Sequence, residues 1–180
     1  MKKIILSMAL VLATGLLFAQ KKTTTAAMIK FDATTSLDKL PKADNMTVIA
    51  SLDTKTGQIA FEANMKNFNF SNPKMQEHFN SAGWLDSEKF PTATFKGELT
   101  NLSKVNFSKN GTYPVTVKGD LTLHGVTKPV ETAGTIVVSG KTINATADFS
   151  IKLEDYGVSS TYIESGKVAR EPKISVAAEF

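Results

Sequence analysis

The sequence predicts an all-β domain: eight antiparallel strands closed into a barrel, with one short helix. Three observations carry this. Apolar residues alternate with polar ones in segment after segment, the turns between segments are mostly short, and a single stretch has helical spacing.

The chain opens with Met1-Lys2-Lys3, an apolar run from Ile4 to Phe18, and Ala19-Gln20-Lys21-Lys22. Charged, then apolar, then small is the order of a secretory signal peptide. The apolar run falls short of the roughly 20 residues a helix needs to cross a bilayer. Residues 1–19 are therefore expected to be cleaved, to within a residue or two, leaving residues 20–180 as one domain. Removing 19 of 180 residues leaves 161, enough to enclose a core or a cavity.

The first strand is expected at Ile29 to Thr34, followed by an irregular stretch from Ser36 to Asn45 and a second strand from Val48 to Asp53. Asp53-Thr54-Lys55-Thr56-Gly57 then makes a tight turn. In the third strand Ile59, Phe61, Ala63 and Met65 face one way, against Gln58, Glu62, Asn64 and Lys66. Ser71-Asn72-Pro73 supplies a cap and a proline for a first helical turn, and Met75, His78 and Phe79 follow at helical spacing.

Strands resume at Ala93 to Leu102. The clearest alternation runs from Thr112 to Leu123, with Tyr113, Val115, Val117, Gly119, Leu121 and Leu123 on one face. Val130 to Val138 and the set Ile143, Ala145, Ala147, Phe149 and Ile151 come next, joined by Ser139-Gly140. After a second irregular stretch, Glu154 to Pro172, Ile174 to Phe180 completes eight strands. Short connections make the sheet antiparallel, and closure removes exposed edges.

An eight-stranded barrel is either filled by its own side chains or left roomy enough for one small ligand. Many positions on the apolar faces are small: Ala50, Ala63, Ala93, Gly97, Gly119, Gly134, Ala145, Ala147 and Ala178. They leave a central cavity, or they let two sheet faces approach closely as in a sandwich. Phe68, Phe70, Phe79, Trp84, Phe90 and Phe95 gather around the helix, as a plug of the barrel end or as an apolar mouth.

Composition removes several function classes. There is no cysteine, hence no disulfide, no thiolate metal site, no Cys nucleophile and no lipid-bearing Cys. Two of the 21 basic residues leave with the signal, so 19 cations against 17 carboxylates give a net +2, with no basic stripe to bind nucleic acid. With two histidines and no metal-ligand spacing, no metal or other cofactor is expected. No G-x-S-x-G elbow, H-E-x-x-H pair or glycine-rich phosphate loop occurs, so no catalytic residue is assigned and the protein is not expected to be an enzyme. Turn geometry accounts for His124 in Leu-His-Gly-Val, and Arg170, the only arginine, falls in the long late loop.

The run from Gln76 to Phe95, containing Asp86-Ser87-Glu88-Lys89-Phe90-Pro91, and the run Gly119-Asp120-Leu121-Thr122-Leu123-His124-Gly125-Val126-Thr127-Lys128-Pro129-Val130 resemble the YceI-like family of exported bacterial proteins. Phe149 to Val158, with Asp155-Tyr156-Gly157, also resembles the family's late strand and loop. The resemblance spans about residues 28 to 180. It implies a lipocalin-like barrel whose interior binds a long polyisoprenoid or similar lipid chain.

On that basis the expected function is an exported, periplasmic or secreted binding protein for a long-chain isoprenoid or other, fatty-acid-like lipid. The ligand would be held by Phe61, Phe95, Val117, Leu121 and Phe149, with Phe79 and Trp84 near the opening and His78 placed to meet a head group. No nucleic acid and no stable membrane insertion of the mature chain are expected, and a homodimer is left open. One alternative is a small outer-membrane barrel, prompted by the C-terminal Phe180. The Lys, Asp, Glu and Asn opposite the apolar faces, and the shortage of Trp and Tyr for two interfacial girdles, count against it. The other is an enzyme acting on a bound lipid.

Overall fold

The computed structural model describes residues 21–180, and the segment expected to be a signal peptide, residues 1–19, lies outside them. Along the chain the elements are β1 (Lys21–Asp32), β2 (Lys42–Asp53), β3 (Gln58–Asn64), β4 (Asn69–Phe70), α1 (Pro73–Asn80), β5 (Thr92–Leu99), β6 (Gly111–Leu123), β7 (Val126–Ser139), β8 (Thr142–Ser150), α2 (Thr161–Glu164) and β9 (Lys173–Glu179). Eight strands close in the order β1, β9, β8, β7, β6, β5, β3, β2 and back to β1, every pair antiparallel. The two-residue β4 adds to β2 at Ala43 and Asp44.

Local chemistry explains the elements. The Asn72 side chain accepts the Lys74 N–H at 2.9 Å and Pro73 opens α1, as its cap signal predicts. His124 and Gly125 form the two-residue turn between β6 and β7, at φ of 52° and 75°. Both signs are positive, as a right-twisted hairpin demands.

All eight expected strands are present, but β7 starts at Val126 instead of Val130, β5 stops at Leu99 instead of Leu102, and the largest shifts are at β1 and β2. β1 begins at Lys21, not at Ile29, because Lys21 to Thr24 pair with Ala50 to Asp53 although the Lys-Lys-Thr-Thr-Thr run has no apolar face. Register shifts on either side of Ala27 then bend β1, so that its second half also pairs with β9. β2 likewise begins at Lys42, inside a stretch expected to be irregular.

The Asn45 side chain, 0% exposed, holds that extension. Its amide donates to the Asn64 carbonyl at 3.0 Å and its oxygen accepts from the Thr47 N–H and hydroxyl, both at 2.9 Å. Asn45→Asp keeps the shape but replaces the donor with a buried charge facing a carbonyl. It is expected to lose about 2–3 kcal/mol of stability, measured by urea unfolding at neutral pH.

Three surface carboxylates, Asp53 among them half-exposed, are held below the ordinary aspartate range. Thr34 N–H donates to Asp32 (3.0 Å), the Thr56 and Lys55 N–H groups donate to Asp53 (2.9 and 2.8 Å), and the Ser175 hydroxyl donates to Asp148, which also lies 3.4 Å from Lys173. Each favours the ionised form more in the folded than in the unfolded chain. Their stabilisation is complete above the unfolded aspartate value of about 3.9 and disappears as pH falls through the lower folded values. The urea midpoint should therefore hold down to about pH 5 and drop as pH falls below about 4, and the drop should be smaller in Asp148→Asn.

The core divides into two clusters along the barrel axis. At one end Phe31, Met65, Phe68, Phe79, Leu85 and Leu153 pack beneath the long connections 33–41, 65–91 and 151–172. At the other, Leu52, Leu99, Val115, Ile136, Val138 and Ile143 close the barrel. Phe61 packs against both clusters.

Candidate functional site

Between the two clusters the barrel is hollow. All eight barrel strands except β2 contribute inward side chains to a continuous cavity of about 130 Å³. Along β3 and the residue that follows it, the wall runs from Ile59 to Met65, six steps of about 3.3 Å, or roughly 20 Å of chain. So small a volume drawn out over that length is a narrow bore. Its cross-section suits a single hydrocarbon chain.

Small side chains create the space. Ala63, Ala93, Ala145 and Ala147 line the bore, where Leu or Ile would fill it. Gly97 and Gly119 face each other across β5 and β6. A Cβ at either would approach the Phe95 ring to 2.7–2.8 Å, so the ring lies back against a floor of backbone instead of crossing the lumen. The open alternatives in the sequence thus resolve in favour of a cavity.

Chemically the wall is almost uniform. Among the described residues it carries no ionisable side chain, and threonines are its only polar residues. Apolar cavities of this size, near 150 Å³, stay dry and take up apolar molecules. Such a site can hold a hydrocarbon by burial alone.

Of the residues expected to bind ligand, Phe61, Phe79, Phe95, Val117, Leu121 and Phe149 line the bore. Phe79 descends from α1 into an aromatic cluster, with ring centres 5.6 Å from Phe31, 5.5 Å from Phe68 and 4.9 Å from Phe70. Trp84 stands behind Phe79, centres 6.3 Å apart, and is not on the wall. His78 is exposed, its ring 5.9 Å from Tyr162, because one residue along a helix turns its side chain about 100° away from Phe79. It was expected on the apolar side of the helix and is not there.

His124 is a structural tie. Its Nδ1 lies 2.9 Å from the Tyr156 carbonyl, which can only accept, so Nδ1 carries the proton. Its ring packs edge-on to Phe90 at 4.8 Å, joining three connections at the α1 end. Beside it the Tyr156 phenol is pushed up, by burial first and by the charge of Asp155 second, and stays neutral at physiological pH.

Sequence reasoning did not assign Ile29 and Phe31 of β1, or Ile174 and Val176 of β9, all of which line the bore. Their alternation was visible and places them on the inner face. Leu85 and Leu153 also line it, but they come from irregular connections that no periodicity marks.

A family model described as the YceI-like domain matches residues 16–180. Protein YceI of Escherichia coli is 28% identical over 159 residues, covering 83% of this chain and 69% of that protein. Among solved structures, a polyisoprenoid binding domain from Saccharophagus degradans, implicated in plant cell wall breakdown, superimposes with a TM-score of 0.74 at 14% identity, covering 89% of this chain and 97% of that one. BcnA of Burkholderia cenocepacia gives a TM-score of 0.70 at 17% identity, with 87% and 99% covered.

Proposed function

This chain belongs to the YceI-like family, and from that premise and its hollow interior we propose that it is a binding protein for a long apolar ligand. The ligand is a polyisoprenoid or fatty-acid-like lipid, held in the bore for transport, storage or sequestration. The observation that carries this is a closed barrel whose inner wall is continuously apolar and whose centre is left open. The similarity to a polyisoprenoid binding domain supports the same reading.

Each methylene moved from water into the bore gains about 0.8 kcal/mol, so a few isoprene units bind without a charged anchor. Affinity should accordingly change little with ionic strength. We assign Phe61, Phe95, Val117, Leu121 and Phe149 to contact with the chain, and Phe79 to the end through which it enters. Binding, not catalysis, is the activity this wall supports. The signal-like residues 1–19 support export of the domain 20–180 to the periplasm or beyond.

The outer face argues against a membrane-spanning barrel. Lys96, Glu98, Lys118, Asp120, Lys128 and Glu131 are exposed around β5, β6 and β7, with Lys118 and Glu131 paired at 3.6 Å. Hydrocarbon does not tolerate such a belt. Release by osmotic shock is expected on fractionation, and recovery with the outer membrane would reverse this assignment.

Native mass spectrometry after gentle purification tests the binding itself. The expected spectrum carries a lipid adduct. Prenyl lipid at about 100 times its dissociation constant should add about 2.7 kcal/mol, roughly 5–10 °C in Tm. A barrel that repeatedly emerges empty and gains neither mass nor Tm is not a lipid carrier.

A further inference from the structure

The two ends of the barrel differ in charge. The closed end is built from the start of β1, the β2–β3 turn (54–57), the β5–β6 connection (100–110), the β7–β8 turn (140–141) and the last residues of β9. These segments form one face. Lys21 pairs with Asp53, Lys55 and Lys104 line a shared open cleft, the Gly140 N–H donates to the Asn110 side chain at 2.8 Å, and the Phe180 N–H donates to the Ile143 carbonyl at 2.8 Å.

Lys21, Lys22, Lys55, Lys104, Lys109 and Lys141 stand on this face against two carboxylates, Asp53 and Glu179. Lys22 is half-buried and the other five lysines are exposed. Among the described residues none of the six makes an ion pair, whereas Lys66, Lys118, Lys152 and Lys173 each face a carboxylate. Asp53 is itself engaged by the Lys55 and Thr56 N–H groups. At the opposite end, the connections 33–41, 65–91 and 151–172 hold seven cations against eight carboxylates. The excess positive charge of the barrel is therefore concentrated at one end.

We propose that the closed end docks the protein on an anionic lipid surface, with the α1 end of the bore turned away from it. The six lysines come from four separate segments around the rim, not from one groove, so they meet a plane of head groups together. Lysine is a compact point charge, and this end has no arginine for bidentate phosphate contacts. Its aromatic residues, Phe107 and Tyr113, are half-buried against the closing cluster, which leaves no open platform on which a nucleic-acid base could stack. Each lysine near an anionic bilayer is worth roughly fivefold in binding, and the attraction fades within a Debye length. Docking is therefore reversible and salt-dependent, unlike the uptake of a hydrocarbon by the bore.

Sedimentation of residues 20–180 with vesicles tests this, comparing pure phosphatidylcholine with equal parts phosphatidylcholine and phosphatidylglycerol. At about 50 mM salt the mixed vesicles are expected to bind at least about 30-fold more tightly, and about 500 mM salt should abolish the difference. Lys55→Gln combined with Lys104→Gln should weaken binding about 25-fold. Lys74→Gln combined with Lys167→Gln makes the same change in net charge at the α1 end and should shift it less than about threefold. Trp84, the only tryptophan, stands at that end and should escape quenching by brominated lipid in the mixed vesicles. Quenching of Trp84, equal loss from the two lysine pairs, no preference for the anionic vesicles, or tighter binding to heparin than to them would each overturn the proposal. None of these results bears on what the bore holds.

Discussion

Gly119→Ala is expected to lose about 3 kcal/mol of stability, read as a fall of roughly 1–2 M in the urea midpoint. The added carbon would lie 2.4 Å from the Gly97 Cα, 2.4 Å from the Lys96 carbonyl oxygen and 2.8 Å from the Phe95 ring. Two of those three contacts are backbone of the partner strand. A rotamer change cannot relieve them, so β5 and β6 must separate and weaken their ladder. Two other glycines set the scale. An alanine at Gly140 meets nothing within 4 Å but inherits a φ of 62°, which costs about 1 kcal/mol. At Gly83 the nearest atom is 3.9 Å away with no positive φ, so Gly83→Ala should be neutral or slightly stabilising. The expected order of loss is Gly119, Gly140, Gly83. A Gly119→Ala protein as stable as Gly140→Ala would mean that the glycine pair is not what lets these strands close over Phe95.

That pair also marks the limit of what the sequence reveals. Alternation from Thr112 to Leu123 identifies β6 and its inner face, because every second residue of a half-buried strand must be apolar or small. It cannot tell whether Gly119 is small to admit a ligand or to admit Gly97, since both look the same along one strand. The answer lies in a cross-strand contact. For β1 the physical reason differs: Lys21 to Thr24 form a strand because β2 offers them hydrogen bonds, a demand of closure that leaves no apolar pattern. Asn45 reads as loop chemistry and is instead a buried polar tie within β2.

The candidate site divides along the same line. Phe61, Phe95, Val117, Leu121 and Phe149 sit on strands whose period fixes which face they take, and their place on the wall follows from it. His78 and Trp84 belong to α1 and the irregular segment after it. There the direction of a side chain depends on how the segment packs over the barrel. Leu153 shows the same limit: it lines the bore from an irregular connection, where its N–H is tied to the Arg170 carbonyl, seventeen positions later in the chain.

Ala147→Phe separates a working cavity from a merely imperfect core, because it should move stability and binding in opposite directions. Ala147 lines the middle of the bore on β8, and a benzyl group there occupies space that the native chain leaves open. In the empty protein the ring is expected to gain burial in that open space, worth about 1–2 kcal/mol and a rise of about 2–6 °C in Tm. The same ring blocks a tail that must run the length of the lumen, so prenyl-lipid affinity should fall at least about 100-fold, or about 2.7 kcal/mol. A residue that only completes a core would raise or lower stability and leave no ligand to lose. A position selected to keep the bore open carries the signature of a protein held below its own stability optimum for the sake of binding. Unchanged lipid uptake by a more stable Ala147→Phe barrel would place the ligand elsewhere.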